Sequence, residues 1–237
     1  MLVTSLVADA FATNCYVVAP GEGEECVIVD PGLGIDARLD EFLSRYRLRP
    51  VAVLLTHGHL DHTFSVTPVC GAKGITAYIH PEDAELLADP LKGLSPETRA
   101  FFGGRLTWSE PDDVAELTDG APVRLAGLDF TVAHAPGHTR GSVMFGLPGE
   151  GDNTGTLLSG DVLFAGSIGR TDLPGGSMDA MRDSLRRTIL PLDDGVEVHP
   201  GHGPVTSIGA ERRANPFLRP DFLGDGREHM SAPRRGL

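Results

Sequence analysis

Short apolar runs that are rich in β-branched residues and end in turn residues recur along the whole chain. Runs of this kind, bounded by Gly, Pro, Asn or Asp, are typical of β-strands. They predict strands at residues 2–7, 15–19, 25–29, 51–55, 75–79, 142–147, 156–159 and 196–199. Residues 125–128 and 130–133 predict a hairpin around Gly127. Strands are therefore expected both early and late in the chain.

Two longer stretches have the spacing of amphipathic helices. Apolar residues recur every three or four positions over 35–46, before Pro50, and over 178–189, before Pro191. Residues 82–116 combine two short helical patterns with Pro and Gly, which is typical either of a lid over a site or of an insertion. This distribution predicts an α/β (α+β) architecture in layers, with helices on the outer faces of packed sheets.

The composition is that of an ordinary globular protein. Of the 237 residues, 41% are hydrophobic and 22% are charged, which argues against a disordered or fibrous chain. No shift in composition marks a domain boundary. We expect one domain over residues 1–218 and a loosely ordered tail over 219–237, because this last segment is rich in Gly, Pro and charge.

Charge and cysteine usage restrict the partners and the compartment. The net charge of −13 disfavours nucleic-acid binding. No apolar run is long enough to cross a membrane, and the N-terminus lacks the basic flank of a signal peptide. Cys15, Cys26 and Cys70 are odd in number and widely spaced, so we expect buried free thiols in a reducing compartment. These features predict a cytoplasmic protein without nucleic-acid or membrane partners.

Residues 56–62, with the sequence Thr-His-Gly-His-Leu-Asp-His, carry the strongest chemical signal. They follow the apolar strand 51–55, whose C-terminal end delivers them to one edge of a sheet. One interpretation treats them as polar residues at a helix start, with Asp61 as the cap. Three histidines and an aspartate so close together favour a divalent metal site instead, because such metals take imidazole and carboxylate ligands.

The spacing inside this motif indicates two ions. Gly58 permits a tight backbone course, so that His57 and His59 can converge on one ion. Asp61 and His62 are adjacent and do not easily join the same tetrahedron, so they are placed to reach a second ion.

Three further candidate ligands, His138, Asp161 and His202, each follow a predicted strand and have glycine beside them. Glycine lets the backbone pass close to an ion, so we expect these residues to complete the site. The remaining histidines match no ligand pattern and are interpreted as structural or exposed: His80, His134, His199 and His229.

The order of these motifs resembles the metallo-β-lactamase superfamily of binuclear metal hydrolases over nearly the whole chain. Within it, the chain is similar to type II glyoxalases and their compact single-domain relatives. This similarity is carried by VDPG at 29–32, PGHTRGS at 136–142, GSIGRTD at 166–172, GHGP at 201–204 and NPF at 215–217. The resemblance implies a four-layer αββα sandwich with the site between the two sheets at one edge.

The resemblance also implies roles for the candidate ligands. The implied ligand sets are His57, His59 and His138 for one ion, and Asp61, His62 and His202 for the other. Asp161 would bridge both ions, and Asp30 would be a supporting carboxylate that orients the ligands. Asp61 and Asp161 would also take part in catalysis. We expect two divalent ions, zinc in the first place, with iron or manganese as alternatives.

The implied reaction is attack of a metal-bridging hydroxide on an acyl carbon. A thiol has a pKa of about 8.5 and leaves without a strong general acid, so we expect a small-molecule thioester substrate. The segment after His202 is too short for the C-terminal domain with which longer type II glyoxalases hold glutathione, and Gly203-Pro204 stand where those enzymes usually have tyrosine. The thiol is therefore either glutathione or another low-molecular-weight thiol. Arg170 and Asp172 either pair with each other or hold a substrate carboxylate.

Three other functions compete with this interpretation. A persulfide dioxygenase shares much of the motif set but uses a single iron and oxygen. A β-lactamase is less favoured, because the classes with a cysteine ligand place that cysteine at the position of Asp161 and no secretion signal is present. A non-catalytic binding domain is disfavoured, because every candidate ligand position is filled.

Overall fold

The computed structural model describes residues 1–102, 108–149 and 154–224. These residues form two six-stranded sheets and one two-stranded ribbon. The first sheet consists of β1 (Leu2–Val7), β2 (Asn14–Ala19), β3 (Glu25–Val29), β4 (Arg49–Leu54), β5 (Thr76–Ile79) and β6 (Val114–Glu116). The second sheet and the ribbon contain β7 (Pro122–Leu125), β8 (Leu128–His134), β9 (Val143–Pro148), β10 (Gly155–Gly160), β11 (Leu163–Phe164), β12 (Ser167–Ile168), β13 (Glu197–Pro200) and β14 (Thr206–Ser207).

Each sheet mixes antiparallel and parallel pairs. In the first sheet, β1 to β3 pair antiparallel and β3 to β6 pair parallel. In the second sheet the order is β14-β13-β10-β9-β8-β7, and β10 with β13 is the parallel pair. Parallel neighbours end on the same side of a sheet, so the loops after β3 and β4, and those after β10 and β13, meet at one edge.

The described α-helices are short, and they either connect strands or follow the last strand. They are α1 (Asp36–Tyr46), α2 (Leu60–Thr63), α3 (Val66–Lys73), α4 (Ala84–Ala88), α5 (Pro96–Phe102), α6 (Met178–Ser184), α7 (Ile208–Ala214) and α8 (Pro220–Leu223). The helix predicted over 178–189 is α6 followed by a π-helical turn, Leu185–Ile189. The sequence did not predict α3, because Pro68 and Gly71 interrupt its helical pattern.

Alternate residues of β2 show how the layers are built. Val17 packs on the outer face of the first sheet in the core that contains residues of α1 and α3. Tyr16 and Val18 face the other way and share a core with Phe130 and Phe145 of the second sheet. This period of two is that of a strand buried on both faces.

A third core covers the outer face of the second sheet. Met144, Leu157 and Val198 pack there against Met181 of α6 and Leu185 of the π-helical turn. The order of layers is therefore helix, sheet, sheet, helix, and the predicted αββα sandwich is confirmed.

The predicted tail begins too early. Residues 220–223 form α8, and Leu223 is buried in the core beside the second sheet. Phe222 packs on Phe217 with ring centroids 4.9 Å apart. These two apolar side chains explain why the segment folds back on the domain despite its flanking polar residues. The rest of the predicted tail, 225–237 with His229, lies outside the described residues.

Two further expectations concern the cysteines and membrane spans. Cys15, Cys26 and Cys70 are free and buried, as predicted. Across the described parts of the chain, no helix has both the length and the apolar character that a membrane crossing requires.

Candidate metal centre

All seven predicted ligands lie in loops or short helices that follow strand ends at the same edge of the sandwich. They are His57 and His59 after β4, Asp61 and His62 in α2, His138 after β8, Asp161 after β10 and His202 after β13. The first sheet thus supplies four of these ligands and the second sheet supplies the other three. The structure brings all of them together at the seam between the sheets.

His57, His59 and His138 form one group, which we call the three-histidine cluster. Their donor atoms lie within 4.8 Å of one another, and His59 Nδ1 is 2.8 Å from His138 Nε2. His138 Nδ1 donates a hydrogen bond of 2.8 Å to the carbonyl oxygen of Arg170. This bond fixes the tautomer and leaves Nε2 of His138 available as a metal ligand.

Asp61, His62 and His202 form the second group, which we call the mixed cluster. Their donor atoms also lie within 4.8 Å of one another. His202 Nε2 is 3.2 Å from Asp61 Oδ2 and 3.3 Å from His62 Nε2. This cluster therefore combines one carboxylate with two imidazoles, a set that suits a divalent ion.

Asp161 lies between the two clusters. Its Oδ2 is 3.4 Å from His138 Nε2 in the three-histidine cluster. Its Oδ1 is 3.4 Å from His62 Nε2, and its Oδ2 is 3.7 Å from His202 Nε2, both in the mixed cluster. The carboxylate of Asp161 is therefore within 3.7 Å of ligand nitrogens in both clusters, and its Oδ2 approaches both of them.

Buried polar atoms without partners test whether a metal fits here. Among the described residues, His57 Nε2 and Asp161 Oδ1 are buried and have no hydrogen-bond partner. Each such atom costs about 1–3 kcal/mol, so native folds rarely leave several of them together. A divalent ion bound by these atoms would remove that cost. The donor atoms and their surroundings therefore fit divalent metal ions.

Asp30 supports the mixed cluster through the hydrogen bonds of its carboxylate. Its Oδ1 accepts a hydrogen bond from Thr56 N at 2.8 Å, and its Oδ2 accepts bonds from Thr56 Oγ1 at 2.5 Å and His62 Nδ1 at 2.9 Å. The bond to Nδ1 leaves Nε2 of His62 directed at the other ligands. Asp30 also lies close enough to His57 and His62 to form a third candidate metal group. Because both of its oxygens are already engaged, we assign it an orienting role.

The backbone of Asp30 supports a functional constraint at this position. Its φ of 50° lies in the left-handed region, which residues other than glycine rarely adopt. Such conformations cost about 1–3 kcal/mol and persist where the surrounding structure imposes them. The three hydrogen bonds of the Asp30 carboxylate provide that surrounding structure.

The two clusters differ in their protonation. Burial and the neighbouring histidines lower the pKa of His57 well below its ordinary value and that of His59 to about 3. Burial also opposes a charge on His62, but nearby carboxylates, Asp161 foremost, outweigh it and raise the pKa of His62 to about 10. His202 likewise has a raised pKa, because its bond to a carboxylate outweighs burial. His57 and His59 thus offer neutral donors.

A cavity of about 590 Å³ opens onto both clusters. Its apolar wall consists of Phe11, Leu94, Phe102, Phe164, Ile168 and Leu173. Leu94 and Phe102 belong to the segment 82–116, so part of this segment forms a wall of the cavity; residues 103–107 lie outside the described residues. Arg170 also lines the cavity, and two hydrogen bonds of 2.7 Å join its guanidinium to Asp172. Of the two roles considered for this pair, the structure has the mutual pairing.

The other described histidines join neither cluster. His80 stacks on His134 with ring centroids 4.0 Å apart, and His199 lies beside Glu197. These contacts agree with the structural roles expected from the sequence.

Residues that the sequence patterns do not single out also shape the site. Asn14 Nδ2 donates hydrogen bonds of 2.9 Å to the carbonyl oxygens of Pro200 and Gly203. Tyr16 donates from its hydroxyl to the same Pro200 oxygen at 2.8 Å. These bonds tie β2 to the loop that carries His202. Nothing in the local pattern pointed to them, because Asn14 and Pro200 are 186 positions apart.

Comparisons with known sequences extend over most of the chain. The pattern of the metallo-beta-lactamase superfamily matches residues 8–202. An uncharacterized protein of Mycobacterium tuberculosis is 46% identical over 220 residues, covering 92% of this chain and 98% of that protein. The hydroxyacylglutathione hydrolase GloC of Haemophilus influenzae is 35% identical over 224 residues, covering 92% and 98%. The probable metallo-hydrolase YqgX of Bacillus subtilis is 34% identical, covering 82% and 88%.

Solved structures give the same result. The BLEG-1 B3 metallo-beta-lactamase has a TM-score of 0.79 and 37% identity, covering 92% of this chain and 99% of that one. TTHA1623 in a di-iron-bound form has a TM-score of 0.73 and 37% sequence identity, covering 92% of this chain and 100% of that one. ETHE1 from Myxococcus xanthus has a TM-score of 0.74 and 25% sequence identity, covering 99% of this chain and 93% of that one. Because the matched region contains every candidate ligand and the fold agrees throughout, the chain belongs to the metallo-β-lactamase superfamily, whose members bind divalent metals.

Proposed function

We propose that this protein is a binuclear metal-dependent hydrolase that cleaves a thioester of a small thiol. The observation that carries the proposal is the position of Asp161, whose carboxylate lies 3.4 Å from His138 of the three-histidine cluster and 3.4 Å from His62 of the mixed cluster. Two donor groups joined by one carboxylate suit a pair of ions better than a single ion. The similarity to a hydroxyacylglutathione hydrolase supports the choice of a thioester.

The ligands, Asp30 and the cavity wall have different roles in this proposed reaction. One ion would be held by the three-histidine cluster and the other by the mixed cluster, with Asp161 in reach of both. When bound, paired divalent ions lower the pKa of water toward about 7 and polarise a carbonyl oxygen. Asp30 keeps the His62 ring in its orientation, and the apolar side chains of the cavity wall offer a surface for the acyl part of a substrate.

The described cavity wall supports a reaction without a protein nucleophile. Its hydroxyl side chains bond elsewhere: Ser95 pairs with Thr98, and Ser167 donates to a main-chain oxygen. Neither arrangement supplies the basic partner that an activated serine or threonine needs. A thiolate is a good leaving group, since its pKa is about 8.5, so hydrolysis needs no strong general acid either.

Two observations bear on the thiol moiety. The similarity to GloC favours glutathione. Against it, Asp172 already engages Arg170, the guanidinium in the described cavity wall, so that a carboxylate of glutathione would compete with Asp172. We therefore propose a low-molecular-weight thiol ester as the substrate class, and a comparison of two thiols can identify the preferred carrier.

A single-iron persulfide dioxygenase is the second candidate. Asp161 lies 3.4 Å from His138, so the three-histidine cluster with Asp161 contains the two-histidine-one-carboxylate set of non-haem iron oxygenases. The structural similarity to ETHE1 fits this second candidate as well.

The deciding experiment combines metal analysis with four assays on the purified protein. The substrates are S-lactoylglutathione, the S-lactoyl ester of N-acetylcysteamine, a chromogenic cephalosporin, and glutathione persulfide with oxygen uptake as the readout. We expect two ions per chain and thioester hydrolysis that disappears in Asp161→Asn. About one iron per chain with persulfide-dependent oxygen uptake would favour the dioxygenase. Turnover of the cephalosporin far above that of both thioesters would favour a β-lactamase, as BLEG-1 is named.

A further inference from the structure

Asp83 is a buried carboxylate that belongs to neither metal cluster and lies in the helical turn Pro81–Asp83 after β5. We propose that Asp83 is a positioning residue for the three-histidine cluster, because it holds the main chain beside all three histidines in the arrangement that binds one divalent ion. The proposal rests on metal binding by this cluster and is independent of which bond the enzyme hydrolyses.

Three hydrogen bonds converge on this carboxylate. Asp83 Oδ2 accepts from the main-chain N–H of Gly58 at 2.9 Å and from the hydroxyl of Thr139 at 2.6 Å. Asp83 Oδ1 accepts from the main-chain N–H of Gly141 at 2.7 Å. A carboxylate can accept all three bonds because both of its oxygens carry acceptor sites.

Two of the three donors are the immediate neighbours of metal ligands in the sequence. Gly58 stands between His57 and His59, and Thr139 directly follows His138. One side chain therefore bonds next to every imidazole of the cluster. A shift of either bonded segment would move at least one ligand nitrogen relative to the other two.

The carboxylate also joins the two sheets at the point where the ligands meet. Gly58 follows β4 in the first sheet, whereas Thr139 and Gly141 follow β8 in the second. Across the same seam, His59 Nδ1 and His138 Nε2 approach to 2.8 Å. Asp83 thus fixes a distance that the packing of two separate sheets would otherwise leave adjustable.

The burial of Asp83 favours a directed role over simple space filling. Its exposure is 1%, and an ionised carboxylate is costly to bury unless hydrogen bonds replace its water. The fit is tight as well, because a Cβ added to Gly58 would lie 2.6 Å from the Leu86 Cβ, and one added to Gly141 would lie 2.7 Å from the Asp83 side chain.

The mixed cluster is oriented by different groups. Asp30 holds His62, and the bonds of Asn14 hold the loop of His202. Loss of the Asp83 carboxylate should therefore weaken the binding of one ion and leave the binding of the other unchanged. An overall loss of folding would weaken both.

The test is titration of metal-free wild-type protein and Asp83→Asn with Co²⁺, followed by visible absorption and calorimetry, without any substrate. Asparagine has the same shape, but its amide nitrogen must face one of the donors, so at least one bond is lost. We expect the affinity for one of the two ions to fall about 10–100-fold, as changes in the groups that support metal ligands do. The absorption of the remaining ion should stay unchanged.

Glu211→Gln is the matched control. Glu211 is also a buried carboxylate that accepts three bonds, from Gly166 N, Thr206 Oγ1 and Asn215 Nδ2. None of these donors adjoins a histidine of the three-histidine cluster, so this variant should lose thermal stability with both Co²⁺ affinities retained.

Thr139→Val is the second variant, in case Asp83→Asn does not fold. It removes one bond to the Asp83 carboxylate, keeps the side-chain shape, and should weaken the same ion by a smaller factor. Wild-type affinity for both ions in either folded variant, with a lower melting temperature alone, would overturn the proposal. Equal weakening of both ions, or the same pattern in Glu211→Gln, would do so too. Failure of the thioesterase assays would not bear on this result.

Discussion

The three-histidine cluster and the mixed cluster each take two ligands from one short sequence motif, yet the fold gives them different surroundings. His57, His59 and His138 are 1%, 5% and 3% exposed. In the mixed cluster, the side chains of Asp61 and His202 are 25% and 28% exposed. The three-histidine cluster is therefore the more enclosed of the two, while the cavity borders both clusters and His62 of the mixed cluster is itself fully buried.

The difference extends to charge. In the three-histidine cluster, burial lowers the pKa values of His57 and His59, so these two imidazoles are uncharged donors. In the mixed cluster, carboxylates surround His62 and hold its proton, which a metal ion must displace. Neighbouring positions in one motif thus differ in pKa because their side chains have different charged neighbours. Four sets of substitutions test this contrast, and the expected effect on metal binding or activity decreases from the first to the last.

Asp161→Asn should have the largest effect, because Asp161 faces both clusters. The amide keeps the shape but loses the negative charge that two cations require. We expect both ions to be depleted and kcat/KM to fall by more than the roughly 100-fold typical of losing a supporting group. Metal analysis after dialysis and thioester kinetics measure this. Retention of one full equivalent of metal would show that Asp161 serves a single cluster.

His202→Ala should separate the two clusters. It removes one ligand from the mixed cluster and leaves the enclosed three histidines intact, so we expect one of the two ions to be lost. His59→Ala is the reciprocal variant and should lose the other ion. Metal analysis and the Co²⁺ absorption spectrum of each variant distinguish the two ions. Identical spectra for the two variants would contradict the division into two independent clusters.

Asp30→Ala should have an intermediate effect of about 10–100-fold on kcat/KM, as expected when a group that orients a metal ligand is removed. The loss arises because His62 no longer has an acceptor for its Nδ1 proton. Asp30→Asn is the control, since asparagine tolerates the left-handed backbone and still offers one acceptor oxygen. An equal loss in both variants would assign the effect to charge instead of orientation.

Arg170→Ala should have the smallest effect on metal binding. His138 is held by the main-chain carbonyl of Arg170, which the substitution keeps, whereas the guanidinium is exposed and pairs with Asp172. We expect unchanged metal content and an unchanged melting temperature. A lost equivalent of metal would mean that the side chain also supports the enclosed cluster. Asp172→Ala reports on the same ion pair from the other side.

The elements of the fold could be predicted where periodicity is local. The continuous apolar run of β2 and the helical spacing of α1 are properties of consecutive residues, and both elements form where the sequence predicts them. α8 was mistaken for part of a tail, because two apolar side chains in a polar segment acquire a partner only in the folded domain. The π-helical turn after α6 was missed for a similar reason: its apolar spacing matches that of an ordinary helix.

The sequence by itself determined the ligand types, their order along the chain and their positions at strand ends, because each of these is a property of a few neighbouring residues. Only the tertiary structure decided which cluster is the more enclosed. It also decided that Asp30 adopts a left-handed backbone and that Asp83 bonds beside three histidines. These properties depend on the packing of two sheets whose contacts join residues far apart in sequence, and no short pattern records such distances.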